Sequence, residues 1–451
     1  AVKTPGGLSE RISIHDLIMQ GSVWGSICCV VLMDKLGKHA YKNKELLYYY
    51  KGLVGCPPLQ MVDDILGLQN CLAQSKQLNT VVNTFMELEK LTLSKTKCHK
   101  LHIGQNISLC PDLIVHGEAV KNSKVEKYLG DMVSSSGSAK PNLARRLSRG
   151  WGRVSEILGL VKEAPLGYRR IAAGLLFRKP LLINTMLFNS EAWHDITSSQ
   201  VEAFEKIDEA LLRGLVLGHA KIPLPALYLE TGQVPIRYIL ATRRILYLQT
   251  ILQRGPDELI RRIYSAQKDD PSDGDFCQLV AQDCQLIDCQ LNNEEIASLD
   301  KYSFKVFIKK KAKEAAFKSL IAIKETKSKM DNLLYLNSFN PQPYILNLTR
   351  DQASLLLALR TRTVRGIRSD YGDLFPSKEC PLPGCSALDS LPHTLACRVL
   401  EGSVTEPSSV QYGDVFSPDL TVQREAVARF SRILEARDTI LTSGQGTPDT
   451  R

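Results

Sequence analysis

The sequence predicts an α+β fold that gives way to an almost wholly helical one. Three observations predict it. Residues 1 to about 135 mix short strand-like runs with helical windows, apolar stripes at helical spacing take over after Gly137, and the chain is long enough for several cores. With 451 residues and 44% hydrophobic content it has room for roughly three domains of about 150 residues. That composition excludes a disordered tail, a collagen-like fibre and a small disulfide-stapled scaffold.

Taken in order, the apolar runs Glu45 to Tyr50, Leu59 to Leu68, Lys100 to Ile103 and Leu113 to His116 read as strands. Between them Leu78, Val81, Val82, Phe85 and Leu88 share one helical face. Beyond Gly137, Ser199 and Glu202 stand in capping-box register ahead of Val201, Phe204, Ile207, Leu211 and Leu215, an apolar stripe that belongs to a core. Pro223, Pro225 and Pro235 punctuate a turn-rich segment, a helix follows over Tyr238 to Gln253, and Asp269 to Asp275 reads as a linker. Thr349 and Gln352 open a helix bearing Leu355, Leu356 and Leu359. The last 50 residues are expected to be loosely held, with one amphipathic piece from Val422 to Leu434.

Lysine plus arginine exceed aspartate plus glutamate by nine, which favours a polyanionic partner. The excess is local: Leu91 to Pro180 carries 16 basic against 6 acidic residues and Lys301 to Asp331 carries 10 against 3, whereas Gly255 to Asp300 carries 3 against 11. Such blocks are either solvated helix faces or nucleic-acid surfaces. Nine of the 12 cysteines show no disulfide-like spacing, and Cys28 and Cys29 sit in an apolar run as buried free thiols do. A reducing, intracellular setting, nuclear or cytoplasmic, is expected. The run Ile27 to Met33 is far too short to cross a bilayer, so no membrane partner is expected.

Asp63 and Asp64 lie between two short apolar runs, in Leu59-Gln60-Met61-Val62-Asp63-Asp64-Ile65-Leu66, which suits a hairpin with the two carboxylates at its tip. A helix start or a plain turn uses the same residues. Two-metal phosphoryl transfer needs carboxylates that converge on Mg²⁺ ions about 4 Å apart. Gln20-Gly21-Ser22 precede the pair, Leu91-Thr92-Leu93-Ser94-Lys95-Thr96-Lys97-Cys98 and Lys127-Tyr128-Leu129-Gly130 follow it, and farther on come Ser190-Glu191-Ala192-Trp193 and Tyr228-Leu229-Glu230-Thr231-Gly232. In this order the motifs resemble those of reverse transcriptases of non-LTR, LINE-type retrotransposons, from about residue 10 to residue 400.

The resemblance implies an RNA-directed DNA polymerase: part of a palm with an antiparallel sheet and helices, then a mostly helical thumb or connection and a small zinc-knuckle-like segment. It implies RNA template and DNA primer or target as partners and Mg²⁺ or Mn²⁺ as cofactor, held by Asp63 and Asp64. Gln20, Gly21 and Ser22 would contact template and nucleotide. Lys97 would be a cation or general acid near the leaving pyrophosphate, or a solvated lysine. Tyr128, Leu129 and Gly130 would form the primer grip, or Tyr128 is a core residue. Arg145, Arg146, Arg149 and Arg153 form a helical cluster able to track phosphates, or an exposed helix face.

Cys380-x4-Cys385-x7-His393-x3-Cys397 supplies three thiolates and an imidazole in a stretch with little core of its own. Either the four close a structural Zn²⁺ site or the cysteines are unliganded; the x4 pair departs from the usual x2 of LINE-type knuckles. The expected layout is a partial palm over 1–135, thumb or connection over 136–255, linker and basic helical segment over 256–345, helix plus knuckle over 346–400, and a flexible tail over 401–451. The first catalytic aspartate of reverse transcriptases precedes the Gln-Gly motif on a separate strand, and Asp16 lies too close to Gln20 to be it. The chain is therefore expected to be the C-terminal portion of a LINE-type polymerase, a fragment inactive alone that lacks its fingers and an N-terminal part of the same polyprotein. The other expectations are a nucleic-acid-binding module without chemistry and a decayed or domesticated copy.

Overall fold

The computed structural model describes residues 3–4, 7–8, 23–103, 113–115, 117–120, 122–163, 170–194, 196–217, 221–323, 336, 339–371, 377–401 and 410–443. Asp16, Gln20, Gly21, Ser22 and His116 lie outside them. The protein is mixed α/β and mostly helical, and it divides into two compact units. Unit 1 combines Ala1–Pro141 with Arg254–Ser272; unit 2 combines Asn142–Gln253 with Asp273–Arg451.

In unit 1, helix α1 (Val23–Lys42) and helix α2 (Leu72–Leu88) pack together, burying Met33, Leu36 and Met86 with Val82, Phe85 and Ile65 against them. The buried row of α2 drifts from Leu78 through Val82 to Met86. Leu88, two residues past Met86, therefore faces the far side of the helix and is 78% exposed, not part of the apolar face. Cys28 is also exposed. The apolar run Ile27 to Met33 is longer than one helical face, so Ile27, Val30 and Val31 point outward beside it.

Strands among the described residues are two to four residues long and pair two by two, all antiparallel except Lys100–Leu101 with Asn122–Ser123. The expected strand Glu45 to Tyr50 is split: a 3₁₀ turn at Lys44–Leu46, entered through Asn43, precedes β1 (Tyr48–Tyr50). β1 pairs with β2 (Val54–Cys56), and β3 (Leu59–Met61) with β4 (Asp64–Leu66). β5 (Val125–Tyr128) pairs with β6 (Asp131–Ser134).

The helix Leu259–Asp269 covers β2, packing Ala266 on Val54 and Cys56. Gln267 Nε2 donates to the Tyr50 hydroxyl at 3.1 Å, and the Lys51 ammonium lies 3.4 Å from Asp270. This segment falls in what the sequence suggests is linker, and it folds with unit 1. The loop after it, expected between Asp269 and Asp275, is present.

Unit 2 is built from helices α3 (Lys140–Glu163), α4 (Arg170–Phe177), α5 (Ser198–Val216), α6 (Leu224–Thr231) and α7 (Ile236–Leu252), then α8 (Phe276–Leu286), α9 (Lys301–Ala322), α10 (Arg350–Arg360), α11 (Leu391–Leu395) and α12 (Leu420–Ser443). Phe204, Ile207, Leu211 and Leu215 of α5 are fully buried, as their spacing predicts. The capping box stands two residues earlier than expected, with Gln200 Oε1 accepting from the Thr197 N–H at 2.8 Å and Thr197 Oγ1 accepting from the Gln200 N–H at 3.4 Å. Ser199 is already inside the helix. The box predicted at Thr349 and Gln352 opens α10.

The proline-punctuated segment contains a helix, α6, because Pro225 sits in its first turn where no N–H is needed. α6 ends at Gly232, whose φ of 63° and close approach to Pro341 leave no space for a Cβ. Buried ion pairs tie unit 2 together. Arg178 donates to both Asp208 oxygens at 2.7 and 2.6 Å, with the Tyr228 hydroxyl on the same carboxylate at 3.0 Å. Arg244 meets Asp283, and Arg360 meets Glu230. Within the C-terminal segment the described residues 420–443 form a packed helix where the sequence suggests a loosely held tail. α12 is 24 residues long and buries Ala426, Val427, Phe430 and Ile433, because its amphipathic pattern finds α10 to cover it.

Candidate metal centre and nucleic-acid interface

The Asp63–Asp64 pair lies on a hairpin. Met61 pairs with Asp64 across a two-residue turn of Val62 and Asp63, so Asp63 is at the tip and Asp64 opens β4. Both carboxylates belong to exposed residues. Val62 has a φ of 58° and Asp63 does not share the positive value, the pattern of a II′ turn, which normally takes glycine first. A β-branched residue there is strained.

Lys127-Tyr128-Leu129-Gly130 makes a second hairpin tip. Tyr128 pairs with Asp131, and Leu129 and Gly130 between them have φ values of 45° and 91°, a I′ pattern. Burial and then the Asp64 charge raise the Tyr128 hydroxyl above its ordinary pKa. Cys29 of α1 feels Asp63 in the same way, after a larger effect of burial. Helix α1 packs against the Asp63–Asp64 hairpin at β3. Lys97 is exposed on a 3₁₀ turn and makes no ion pair with Asp63 or Asp64. No third carboxylate, histidine or cysteine among the described residues joins Asp63 and Asp64 as a metal-ligand group. Among the described residues the two stand as a pair without a further ligand.

The arginine cluster is in unit 2. Arg146 lies on the buried row of α3 with Leu143, Val154, Ile157 and Val161, is 3% exposed, and holds its guanidinium 4.8 Å from the Phe188 ring. It does not belong to an exposed phosphate-tracking row. Arg149 is exposed, Arg153 pairs with Glu156, and Arg145 is half-buried. Arg146, Arg149 and Arg153 with Asn184, Thr185 and Phe188 line an open cleft of about 640 Å³.

Cys380, Cys385, His393 and Cys397 converge, their ligating atoms all within 4.8 Å of one another. Cys385 Sγ is 3.3 Å from His393 Nε2 and 4.0 Å from Cys397 Sγ. Thiolates bound tetrahedrally at about 2.3 Å stand about 3.8 Å apart, so these four residues could hold one four-coordinate metal. The x4 spacing works because Leu382-Pro383-Gly384-Cys385 is a type II turn: Gly384 has a φ of 80° and the Cys385 N–H donates to the Leu382 carbonyl at 3.1 Å. Flanking it, the Cys380 N–H meets the Ala387 carbonyl and the Asp389 N–H meets the Lys378 carbonyl, both at 2.8 Å. Ser390 Oγ accepts from the His393 N–H and so sets the start of α11.

The thiols are unequal. Burial pushes Cys380 up to about 12, whereas an Ala387 N–H bond, followed by contacts with Cys380 and Cys397, lowers Cys385. The loop borrows its core from α12, Ile433 packing with Cys380, Leu382, Cys397 and Leu400. Sequence reasoning missed the clamp that seats it. Arg437 of α12 donates to both oxygens of buried Asp389 at 2.7 Å and to the Gly366 carbonyl at 2.8 Å, while Asp389 Oδ2 also accepts from the Arg368 N–H. Nothing local in the sequence links residues 48 apart. A buried-spaced arginine in an amphipathic helix was the available signal.

Comparison with protein-family models, with curated proteins and with solved structures finds no match for this chain. No described helix is long and apolar enough to cross a membrane.

Proposed function

We propose that this chain is a reverse-transcriptase-like segment of the non-LTR type, part of an RNA-directed DNA polymerase, that holds an RNA template paired with a DNA primer or target. The observation that supports the reading is that unit 1 carries two hairpin tips, one with Asp63 and Asp64, the other with Tyr128, Leu129 and Gly130, and that the Asp64 charge acts on the Tyr128 hydroxyl. Mg²⁺ or Mn²⁺, when bound, would supply charge stabilisation at a transferring phosphate. This chain's own part is to present Asp63 at a tip, to place the Tyr128 ring beside the path of a primer strand, and to offer Lys97 as a mobile cation on the same unit.

Fluorescence anisotropy of a labelled RNA–DNA hybrid tests the reading. The chain is expected to bind it, Mg²⁺ to strengthen binding, and Asp63→Ala with Asp64→Ala to remove the Mg²⁺ effect while leaving a salt-dependent component. Failure to bind the hybrid, or a Mg²⁺ effect indifferent to both substitutions, overturns it. A second reading rests on the Cys₃His cluster, which supports a structural Zn²⁺ and a nucleic-acid-binding module without chemistry. Binding that survives Asp63→Ala and Asp64→Ala but fails with Cys380→Ser favours that module.

A further inference from the structure

Helix α9 carries three parallel rows. Phe304, Ile308, Ala312, Ala316 and Leu320 recur every fourth residue and are buried, in an element that packs on α6 and α7. One residue on from the first three, Lys305, Lys309 and Lys313 form an exposed row. Beside that run Tyr302, 76% exposed, and Val306, 49% exposed. Lysines four apart on a helix repel each other, so the row costs stability unless something else selects it.

Among the described residues no carboxylate pairs with this row. The helix's one acidic residue, Glu314, lies 3.9 Å from Lys310, and Asp288 lies 3.7 Å from Lys311. Instead, a further positive charge is brought in. Lys179, from the π-helical turn Arg178–Ile183, stands close enough that partial burial, then Lys179, Lys305 and Lys313, hold the Lys309 ammonium below the ordinary lysine range. A further like charge acting on a like-charged row raises the local positive potential that attracts an anion.

We propose that this face of α9 binds single-stranded nucleic acid, with Lys305, Lys309, Lys313 and Lys179 on successive phosphates and Tyr302 as a platform for an unpaired base. Four residues of helix rise about 6 Å, so each ammonium addresses its own phosphate. The aromatic ring decides between strand types. A base within a duplex has both faces covered by its neighbours, whereas an unpaired base offers one to an exposed ring. A membrane surface is the weaker occupant, because the apolar row of α9 is already packed inside unit 2. The strip belongs to unit 2 and goes beyond the reading of the hairpins in unit 1.

The test measures affinity of the whole chain for labelled oligo-uridylate and oligo-thymidylate, a blunt duplex, and phosphatidylserine vesicles across a salt series. The triple variant Lys305→Gln, Lys309→Gln and Lys313→Gln is expected to flatten the slope of log affinity against log salt by about 2 for single strands. Tyr302→Ala is expected to weaken single-strand binding about tenfold and to leave duplex binding unchanged. Lys→Arg at the same three positions should restore the slope, and the Mg²⁺ effect on RNA–DNA hybrid binding should persist in the triple Gln variant, which separates failure here from failure of the polymerase reading. An unchanged slope in the triple variant, equal losses on duplex and single strand with Tyr302→Ala, or a lysine-dependent affinity shown only for vesicles overturns the proposal.

Discussion

Val62 is the residue at which the fold is most visibly under strain. A β-branched side chain at a φ of 58° costs about 1–2 kcal/mol relative to the right-handed regions, and glycine escapes that cost. Val62→Gly is accordingly expected to stabilise unit 1 by up to about 1 kcal/mol once glycine's greater chain entropy is subtracted, read as a rise in urea midpoint. An unchanged or lower midpoint shows that the turn relaxes around valine. The Asp63–Asp64 hairpin was legible because alternating apolar residues bracket it. The strain was not, since no sequence rule predicts valine in that turn.

Cys289 is a second residue with a measurable signature. The C-terminus of α8 closes as a Schellman turn, with Cys289 N–H on the Cys284 carbonyl at 2.8 Å and Asp288 at a φ of 53°, which brings the two cysteines side by side. The Cys284 thiol, followed by the Leu291 N–H and Lys311, lowers Cys289 to about 6. A folded-state value below the unfolded one means that this thiolate contributes stability above the ordinary thiol range, and that the contribution is lost as pH falls through about 6. Thiolate ultraviolet absorbance should show a transition near that pH, and Cys284→Ala, which removes the donor, should move it upward. A transition that stays in place in Cys284→Ala rules out the pairing.

At the scale of elements, α12 and the cysteine-histidine loop depend on each other. The loop contributes Cys380, Leu382, Cys397 and Leu400 to a shared cluster, α12 contributes Ile433, and Arg437 fastens both through Asp389. Removing one partner of a buried ion pair costs about 3–5 kcal/mol, because the other is left charged and dry. Arg437→Met is thus expected to destabilise unit 2 by about that amount and to weaken Zn²⁺ uptake, measured by competition with a chromophoric chelator. Chelation of metal from the intact protein should lower the melting temperature, and Arg437→Met should lose most of that response. Equal responses in both proteins would mean that the clamp does not seat the loop.

Elements were legible where local chemistry sets them. Thr349 and Gln352 cap α10 as their spacing predicts, because a capping box involves only four residues. The box of α5 was misplaced by two residues because Thr197-x-x-Gln200 and Ser199-x-x-Glu202 carry the same pattern, and only the incoming chain decides between them. The four metal-type ligands were legible from spacing alone. Their support was not, since Asp389 and Arg437 meet through tertiary packing.

At the scale of the whole molecule, the division into units follows contacts that sequence order hides. Unit 1 is completed by Leu259–Asp269, whose Ala266 covers Val54 and Cys56. The acidic stretch beginning at Gly255 reads as linker, because charge density there conceals the apolar face of Leu259, Ile263 and Ala266. A chain ending at Pro141 is expected to expose Val54 and Cys56 and to bind a hydrophobic dye, and a synthetic 254–272 peptide added in trans should suppress the signal. Equal dye binding with and without the peptide shows that the helix is dispensable.

The return of the chain to unit 1 also sets an order of events during synthesis. Unit 1 lacks its last helix until residue 272 has left the ribosome, and by then Asn142–Gln253 has already emerged. At about 5–20 residues per second that interval is on the order of ten seconds, long against the folding of a small domain. The open edge at Val54 and Cys56 therefore waits in the presence of half-made helical chain, and this nascent stage is the one at which a chaperone has most to protect.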